Sequence, residues 1–268
     1  MIPREELSRL SARFRINETV LEKDYVLTWI LLGIEDSDLY NALAFKGGTA
    51  LKAIYFPEYR YSEDLDFTLL KEIDTEKLLE SFTALLSSLT AGQGIQLSLL
   101  KEKMEVRDGS ITLYVSFVGP LQARMGKRSI KVDLTKNEKI IYKVKSMKVG
   151  SRYSDTIAKR VMVYSLEEIF TEKLCAIIGR TEPRDLYDIW YIFDRDLDFD
   201  SIPFAFKDKA EFKGIDPGSI ESILERKKNT IERMWQTRLS GQVKDLPELD
   251  GVLRKVNRNI KKYITRNI

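Results

Sequence analysis

The chain has 268 residues, a formal net charge of +3, one cysteine and no histidine. This excludes Ser-His-Asp and Cys-His catalysis, a disulfide framework and a cysteine zinc site, so catalysis has to use carboxylates, basic groups, hydroxyls or a metal. No apolar run approaches the roughly 18 residues of a transmembrane helix. The first residues also lack the apolar segment of a signal peptide, so we expect a cytoplasmic protein without a membrane partner.

Two helices are predicted at the start of the chain. Apolar periodicity places them at residues 4–14 and 18–33, and the second has a broad apolar face. Glu22-Lys23-Asp24 interrupts that face. We expect these three residues to form a solvated helix face with local ion pairs.

The stretch between the strands predicted at 43–46 and 65–70 carries the first candidate chemistry. Gly47-Gly48-Thr49 marks a turn into a helix over 49–56, and backbone N–H groups at such a helix start suit a phosphate. Asp64 and Asp66 are two residues apart, so on a strand both carboxylates project from one side and suit a hard cation. Each motif alone is weak, but together they indicate metal-assisted phosphoryl or nucleotidyl transfer.

A further acid lies on a later strand. After a helix over 74–91, strands over 96–106 and 110–118 are predicted to form a hairpin at Arg107-Asp108-Gly109. The strand over 128–135 alternates apolar and polar residues and places Asp133 on a polar face with Lys131. By itself Asp133 is a plain surface residue, but beside Asp64 and Asp66 it would complete a group of three carboxylates.

A basic segment and a short strand connect this region to the next helix. The lysine-rich segment 136–152 is either a solvated loop or edge strand, or part of an RNA-facing surface. A strand is predicted over 161–164. Ser165 and Glu168 then predict a capping box, with Ser165 as the cap and the Glu168 side chain reaching back.

Four charged side chains follow on two helices. Lys173 and Arg180 lie two helical turns apart, and Asp185 and Asp188 share one face of a helix that begins at Pro183. Lys173 offers a point charge to a triphosphate, or is a surface lysine paired with a glutamate. The aspartates either orient the basic groups or help to bind metal or acceptor, or are simply acids favoured by the helix dipole.

The remaining chain is predicted to be helical over 201–213, 218–239 and 246–267. One face of the last helix carries five basic residues, Arg254, Lys255, Arg258, Lys261 and Lys262. A solvated face favoured by the helix dipole is one interpretation. The other is contact with an RNA phosphate backbone, because the stripe extends beyond the last turn, where the dipole acts.

Taken together, these motifs resemble those of the AbiEii/AbiGii-type nucleotidyltransferase toxins, members of the DNA-polymerase-beta-like nucleotidyltransferase superfamily. The matching motifs appear in the family's order: Gly47-Gly48-Thr49 with Ser62-Glu63-Asp64-Leu65-Asp66, Lys131-Val132-Asp133, Lys173 with Arg180, and Arg184-Asp185-Leu186-Tyr187-Asp188. The resemblance implies an α+β fold, with a mixed sheet and helices in a nucleotidyltransferase domain over 1–160. A C-terminal helical domain over 161–268 would complete the active-site cleft.

The resemblance also implies a site and its substrates. It assigns catalysis to Asp64, Asp66, Asp133 and Lys173, and a Mg²⁺ or Mn²⁺ site to the three aspartates. The implied NTP-binding residues are Gly47, Gly48, Thr49, Ser62, Lys173, Arg180, Asp185 and Asp188. The implied protein is a monomeric toxin of a toxin–antitoxin or abortive-infection system, neutralised by a cognate antitoxin. It would transfer NMP from NTP to an RNA acceptor, the tRNA 3′ end, and release pyrophosphate.

Two other classes of protein remain open at this point. A small-molecule nucleotidyltransferase of the antibiotic-modifying kind would share Asp64 and Asp66 but would need no basic acceptor surface. A nucleotide-binding protein without transfer activity would bind NTP and release no pyrophosphate.

Overall fold

The computed structural model describes residues 1–267 and divides into two compact units. The first unit comprises residues 1–138 and 144–163, and the second comprises residues 139–143 and the chain from Tyr164 onward. Strands are confined to the first unit within the described residues, and the second unit is helical. None of the helices formed by residues 1–267 combines the length and apolar character that crossing a membrane requires.

Eight strands among the described residues form one mixed sheet in the first unit. They are β1 Leu43–Lys46, β2 Asp64–Leu69, β3 Gln96–Leu99, β4 Glu105–Arg107, β5 Ser110–Val118, β6 Ser129–Thr135, β7 Lys145–Lys148 and β8 Arg160–Val163. Their order across the sheet is β3-β5-β6-β2-β1-β8-β7, with β4 paired to β5. The strand β2 is therefore central, antiparallel to β1 on one side and parallel to β6 on the other.

Helices α1 Arg4–Phe14, α2 Glu18–Ile34, α3 Gly47–Ala50 and α4 Thr75–Gln93 accompany the sheet. The helix predicted to begin at Thr49 starts at Gly47, because glycine tolerates the φ of 77° that this turn requires. A π-helical turn, Leu51–Tyr55, continues α3 and ends where the Phe56 N–H donates to the Leu51 carbonyl oxygen.

The prediction of a solvated face at Glu22-Lys23-Asp24 is wrong. Helix α2 is buried along almost its whole length, and Glu22 has no exposed surface. Its carboxylate accepts hydrogen bonds from the Leu121 N–H at 2.6 Å and from the Arg128 guanidinium. A buried carboxylate without such partners would be strongly destabilising. This explains why Glu22 bonds to Leu121 and Arg128, which are distant in the sequence.

Asp24 is the second buried acid of this helix. It accepts a hydrogen bond from the Tyr153 hydroxyl at 2.7 Å and pairs with Lys52 at 3.1 Å. Burial lowers the pKa of Lys52, and Asp24 opposes that shift. Lys23 does lie near the surface, where it pairs with Glu63 at 2.8 Å.

The long strand predicted over 96–106 is broken into two. Both β3 and β4 pair antiparallel with β5, and a short 3₁₀ turn at Lys101–Lys103 separates them. The Lys103 N–H bonds to the Leu100 carbonyl oxygen to close that turn. The predicted hairpin from β4 to β5 is present.

The second unit contains α5 Leu166–Gly179, α6 Pro183–Ile192, α7 Ile202–Phe212, α8 Ile220–Leu239 and α9 Leu249–Tyr263. Ser165 caps α5 as predicted, by accepting from the Glu168 N–H at 3.2 Å. The predicted return contact from the Glu168 side chain is wrong. Its carboxylate instead accepts from the N–H groups of Ile141 and Tyr142, at 2.9 and 2.7 Å, and this ties segment 139–143 to α5.

Candidate functional site

Three aspartates lie on one face of the sheet, on neighbouring strands. In the parallel β2–β6 ladder, Asp66 pairs with Asp133 and Asp64 pairs with Lys131. Paired residues of a ladder point to the same side, and so do residues two apart on a strand. Asp64, Asp66 and Asp133 therefore share one face, which we call the acid face.

Packing of the opposite face fixes this orientation. Leu65 and Phe67 are buried, and the Phe67 ring lies 5.3 Å from that of its ladder partner Phe45. A shift of one residue in register would bury Asp64 and Asp66 and expose these apolar side chains. The hydrophobic core under β2 thus determines where its two half-buried carboxylates point.

The third aspartate is held by two neighbours. One Asp133 oxygen accepts from the Thr112 hydroxyl at 2.6 Å, and the other from the Lys131 ammonium at 2.5 Å. Burial tends to lower the pKa of Lys131, but Asp133 and the charge of Asp64 outweigh it and raise that pKa. An ammonium group thus belongs to the acid face.

The donor chemistry of the acid face suits Mg²⁺, although residues 1–267 contain no ready-made group of three or more metal-ligating side chains. Mg²⁺ is commonly held by one or two carboxylates together with substrate phosphates rather than by an all-protein cage. Asp64 and Asp66 supply two carboxylates of this kind. A metal role for Asp133 stays a prediction, and its two oxygens accept hydrogen bonds from Lys131 and Thr112.

The glycine turn, Gly47-Gly48-Thr49, packs directly against this face. A Cβ on Gly47 would lie 2.3 Å from an Asp66 carboxylate oxygen, and one on Gly48 would lie 2.5 Å from the Arg60 guanidinium. The Thr49 hydroxyl donates to the Asp64 carbonyl oxygen at 2.5 Å and so ties the turn to β2. Phosphate binding by this turn stays a prediction.

Ser62 is buried just before β2, and its part in nucleotide binding also stays a prediction. Two basic residues near the site escaped sequence reasoning. Arg60 is buried and lies against Gly48, and Lys46 stands opposite Asp66 in the β1–β2 ladder. Lys46 also pairs with Glu138 at 3.8 Å. Their positions could have indicated both, because Lys46 directly precedes the glycine turn and Arg60 lies two residues before Ser62.

In the second unit, Lys173, Asp185 and Asp188 form a buried lysine–aspartate cluster, and the exposed Arg180 joins it from the surface. The Lys173 ammonium lies 2.7 Å from an Asp185 oxygen and 2.8 Å from an Asp188 oxygen. Arg180 grips Asp185 through two nitrogens, at 2.7 and 3.0 Å. Neither aspartate has exposed surface, and Lys173 is 8% exposed.

This cluster contradicts the interpretation of Lys173 as a surface lysine paired with glutamate. Burial tends to raise the pKa of Asp185, but the charges and hydrogen bonds of Lys173 and Arg180 outweigh it and hold that pKa well below its usual range. Lys227 from α8, missed at the sequence level, donates to three carbonyl oxygens at the end of α5, each at 2.8 Å. Triphosphate binding by Lys173 and Arg180 stays a prediction.

The basic face of α9 is largely solvent-facing. Val252, Val256 and Ile260 are buried on the other side of the helix. Four of the five basic residues are exposed, namely Arg254, Arg258, Lys261 and Lys262. Lys255 is half-buried, pairs with Asp194 and lies over the Trp190 ring at 5.1 Å.

The sequence of the chain was compared with protein-family models and with curated proteins. Residues 29–257 match the family model described as "Nucleotidyl transferase AbiEii toxin, Type IV TA system". Among curated proteins, no sequence matches the chain.

Solved structures with a similar fold include MenT4, a nucleotidyltransferase toxin from Mycobacterium tuberculosis H37Rv. It is 14% identical with a TM-score of 0.68, and the alignment covers 96% of this chain and 88% of MenT4. JHP933 from Helicobacter pylori is 18% identical with a TM-score of 0.58, and the alignment covers 94% of each chain. At these identities the similarity establishes the fold, a mixed sheet with helices as predicted.

The close approach of Gly47 to Asp66 leads to a first prediction. We expect Gly47→Ala to lower nucleotide transfer about a hundredfold, because the new Cβ has to displace the Asp66 carboxylate and small displacements at a reacting centre are costly. The matched control is Gly94→Ala, since Gly94 also has a positive φ, 68°, but has no atom within 4 Å of the Cβ position.

Both variants should lose about 1–2 kcal/mol of unfolding free energy from the strained φ alone. Urea unfolding and a transfer assay on both proteins separate strain from displacement. Equal activity of the two variants would contradict a tight contact between the turn and Asp66.

The buried cluster leads to a prediction about pH. A carboxyl group whose pKa is lower in the folded state stabilises the protein above its unfolded pKa, and this stabilisation is lost as the pH falls towards the folded value. We therefore expect Asp185→Asn to cost about 3 kcal/mol at neutral pH, with the difference from wild type shrinking below about pH 4.

Urea unfolding of both proteins from about pH 7 to about pH 3 measures this difference. Asp208→Asn is the control, because Asp208 forms an exposed pair with Lys139 in the same unit and should matter little at any pH. A constant difference for Asp185→Asn across the range would contradict the lowered pKa.

Proposed function

Because the chain belongs to the AbiEii nucleotidyltransferase toxin family, a type IV toxin–antitoxin family, we propose that it transfers NMP from an NTP to an RNA acceptor and releases pyrophosphate. The tRNA 3′ end is the acceptor we propose. The family implies a cognate antitoxin as partner. The observation that supports the chemistry is the acid face, where Asp64 and Asp66 stand beside the glycine turn.

In this proposal Asp64 and Asp66 hold Mg²⁺ through their carboxylate oxygens. When bound, the ion would lower the pKa of the acceptor hydroxyl and neutralise charge on the phosphates. The backbone N–H groups of Gly47 and Gly48 would donate to phosphate oxygens, and glycine leaves that backbone open to the ligand. Asp133 would accept the proton of the acceptor hydroxyl or complete the metal site, and Thr112 fixes its orientation.

The proposed RNA acceptor is supported by the basic face of α9. Exposed arginine and lysine side chains at helical spacing match the phosphate backbone of a nucleic acid, and they are solvent-facing on a helix whose other side is buried. A small-molecule acceptor would give no role to this surface.

The reaction class is tested by incubating the protein with each labelled NTP, Mg²⁺ and total cellular RNA. We expect label in a band of tRNA size, together with pyrophosphate release. Unlabelled RNA, together with transfer of NMP to an added small-molecule acceptor and release of pyrophosphate to solution, would instead support a small-molecule nucleotidyltransferase. Binding of NTP without pyrophosphate release would show that the chain does not transfer.

Removal of one metal-holding carboxylate gives the most direct test of the site. We expect Asp66→Asn to lower transfer about a thousandfold or more, because metal assistance contributes several kcal/mol to the reaction. The variant should remain folded, and its metal-free form could gain stability because repulsion between neighbouring carboxylates is relieved. Asp108→Asn, in the exposed turn before β5, is the control and should keep full activity. Near-normal transfer by Asp66→Asn would remove this residue from the site.

The RNA surface is tested by changing Arg254, Arg258 and Lys261 together to Gln. Loss of three cationic side chains should weaken tRNA binding and lower the slope of log affinity against log salt by roughly two. NTP binding should not change. The control changes Arg226, Arg233 and Arg238, three exposed arginines of α8, to Gln and removes the same net charge. Anisotropy titrations at several salt concentrations measure both. Equal slopes for the two triple variants would show that position on α9 is unimportant.

A further inference from the structure

Lys131 is a cation on the acid face, and the motif that contains it, Lys131-Val132-Asp133, implies a role only for Asp133. It stands two residues before Asp133 on β6 and directly beside Asp64 in the β2–β6 ladder. Its side chain therefore emerges on the same face as the three aspartates. The ammonium bonds to Asp133 at 2.5 Å, and the Lys131 side chain is 38% exposed.

This pairing leaves Asp133 with both of its oxygens engaged. Thr112 donates to one oxygen and Lys131 to the other. Each oxygen keeps a second lone pair, so the charge of the ammonium, and not a lack of acceptor sites, opposes a divalent ion at Asp133. The Thr112 hydroxyl is neutral and can stay beside a metal. The ammonium is a positive charge, and a divalent cation next to it would be repelled.

We propose that Lys131 is the resident counter-ion of the acid face, and that a divalent metal ion displaces its ammonium from Asp133 on binding. The inference rests on the proposed function, since it assumes the metal site at Asp64 and Asp66. Without metal, Lys131 offsets part of the repulsion among three neighbouring carboxylates and keeps β2 and β6 in register. Once the metal is bound, its charge takes over that task and Asp133 becomes available to the acceptor hydroxyl.

Lys131 is thus a positioning residue. It keeps Asp133 paired until a metal ion binds, and only then is Asp133 available to the acceptor hydroxyl. It lowers the affinity of the acid face for a divalent ion, because the ion has to compete with a charge that is already in place. A metal ion arriving with a triphosphate brings further ligands and would overcome this competition more readily than a free ion.

The test measures binding of Mn²⁺ alone to the full chain by the electron paramagnetic resonance signal of the free ion. We expect Lys131→Met to bind Mn²⁺ about tenfold more tightly than wild type, since one positive charge is removed a few ångströms from the ion. Lys131→Arg keeps the charge and should bind like wild type. The matched control is Lys139→Met, which removes a lysine from the exposed pair with Asp208 in the second unit.

Thermal unfolding supplies a second reading that does not depend on metal affinity. Metal-free Lys131→Met should melt below wild type, because less of the carboxylate repulsion is compensated, and Mn²⁺ should raise its melting temperature more than that of wild type. A merely structural lysine would lower the melting temperature without changing the response to Mn²⁺.

Three outcomes overturn the inference. Suppose that Lys131→Met binds Mn²⁺ no more tightly than Lys139→Met, while Asp66→Asn abolishes binding. The metal site is then supported, but Lys131 does not compete with the metal ion, and the inference is wrong. If Lys131→Arg binds as tightly as Lys131→Met, charge is not the cause. If Mn²⁺ binds wild type and Asp66→Asn equally, the proposed metal site fails together with the inference.

Discussion

The parallel pairing of β2 with β6 is the constraint on which the candidate site depends. It places Asp66 next to Asp133, although the two are 67 positions apart in the chain. The burial of Leu65 and Phe67 maintains this register, because any slip by one residue would exchange apolar and charged side chains between the two faces. The positions of the three carboxylates on the acid face therefore follow from core packing and strand register.

Buried ion pairs occur in both units of the molecule. Glu22 with Arg128, Asp24 with Lys52, Lys173 with Asp185, and Lys209 with Glu168 are all buried or partly buried ion pairs. Such pairs contribute little net stability, but the loss of one partner leaves a charge in a poorly solvated place. They specify which segments pack together, since a buried charged group is stable only next to a partner of opposite charge.

Features that depend on neighbouring residues in the chain could be predicted from the sequence. Features that depend on contacts between distant segments could not. The alternation of apolar and polar residues assigned Asp64, Asp66 and Asp133 to polar strand faces, and the glycine turn was visible in the chain. The burial of Glu22 and Asp24 could not be predicted, because their partners Arg128 and Lys52 lie far along the chain and only the fold brings them together. The same holds for Glu168. The local pattern correctly predicted that Ser165 caps the helix, but the Glu168 carboxylate binds the N–H of the distant Ile141 instead of completing the capping box.

The contact between Glu168 and segment 139–143 has a consequence for how the chain can be divided. The segment follows β6 by only a few residues, yet it belongs to the second unit, so the backbone passes from one unit to the other near residues 138, 143 and 163. A fragment that ends at residue 163 would take Ile141 and Tyr142 away from the carboxylate that binds their N–H groups. The remaining fragment would keep the buried pair of Glu168 and Lys209, but Glu168 would lose its two backbone N–H donors. A cut after residue 163 would therefore separate segment 139–143 from the unit to which it belongs, and the two fragments would not correspond to the two units.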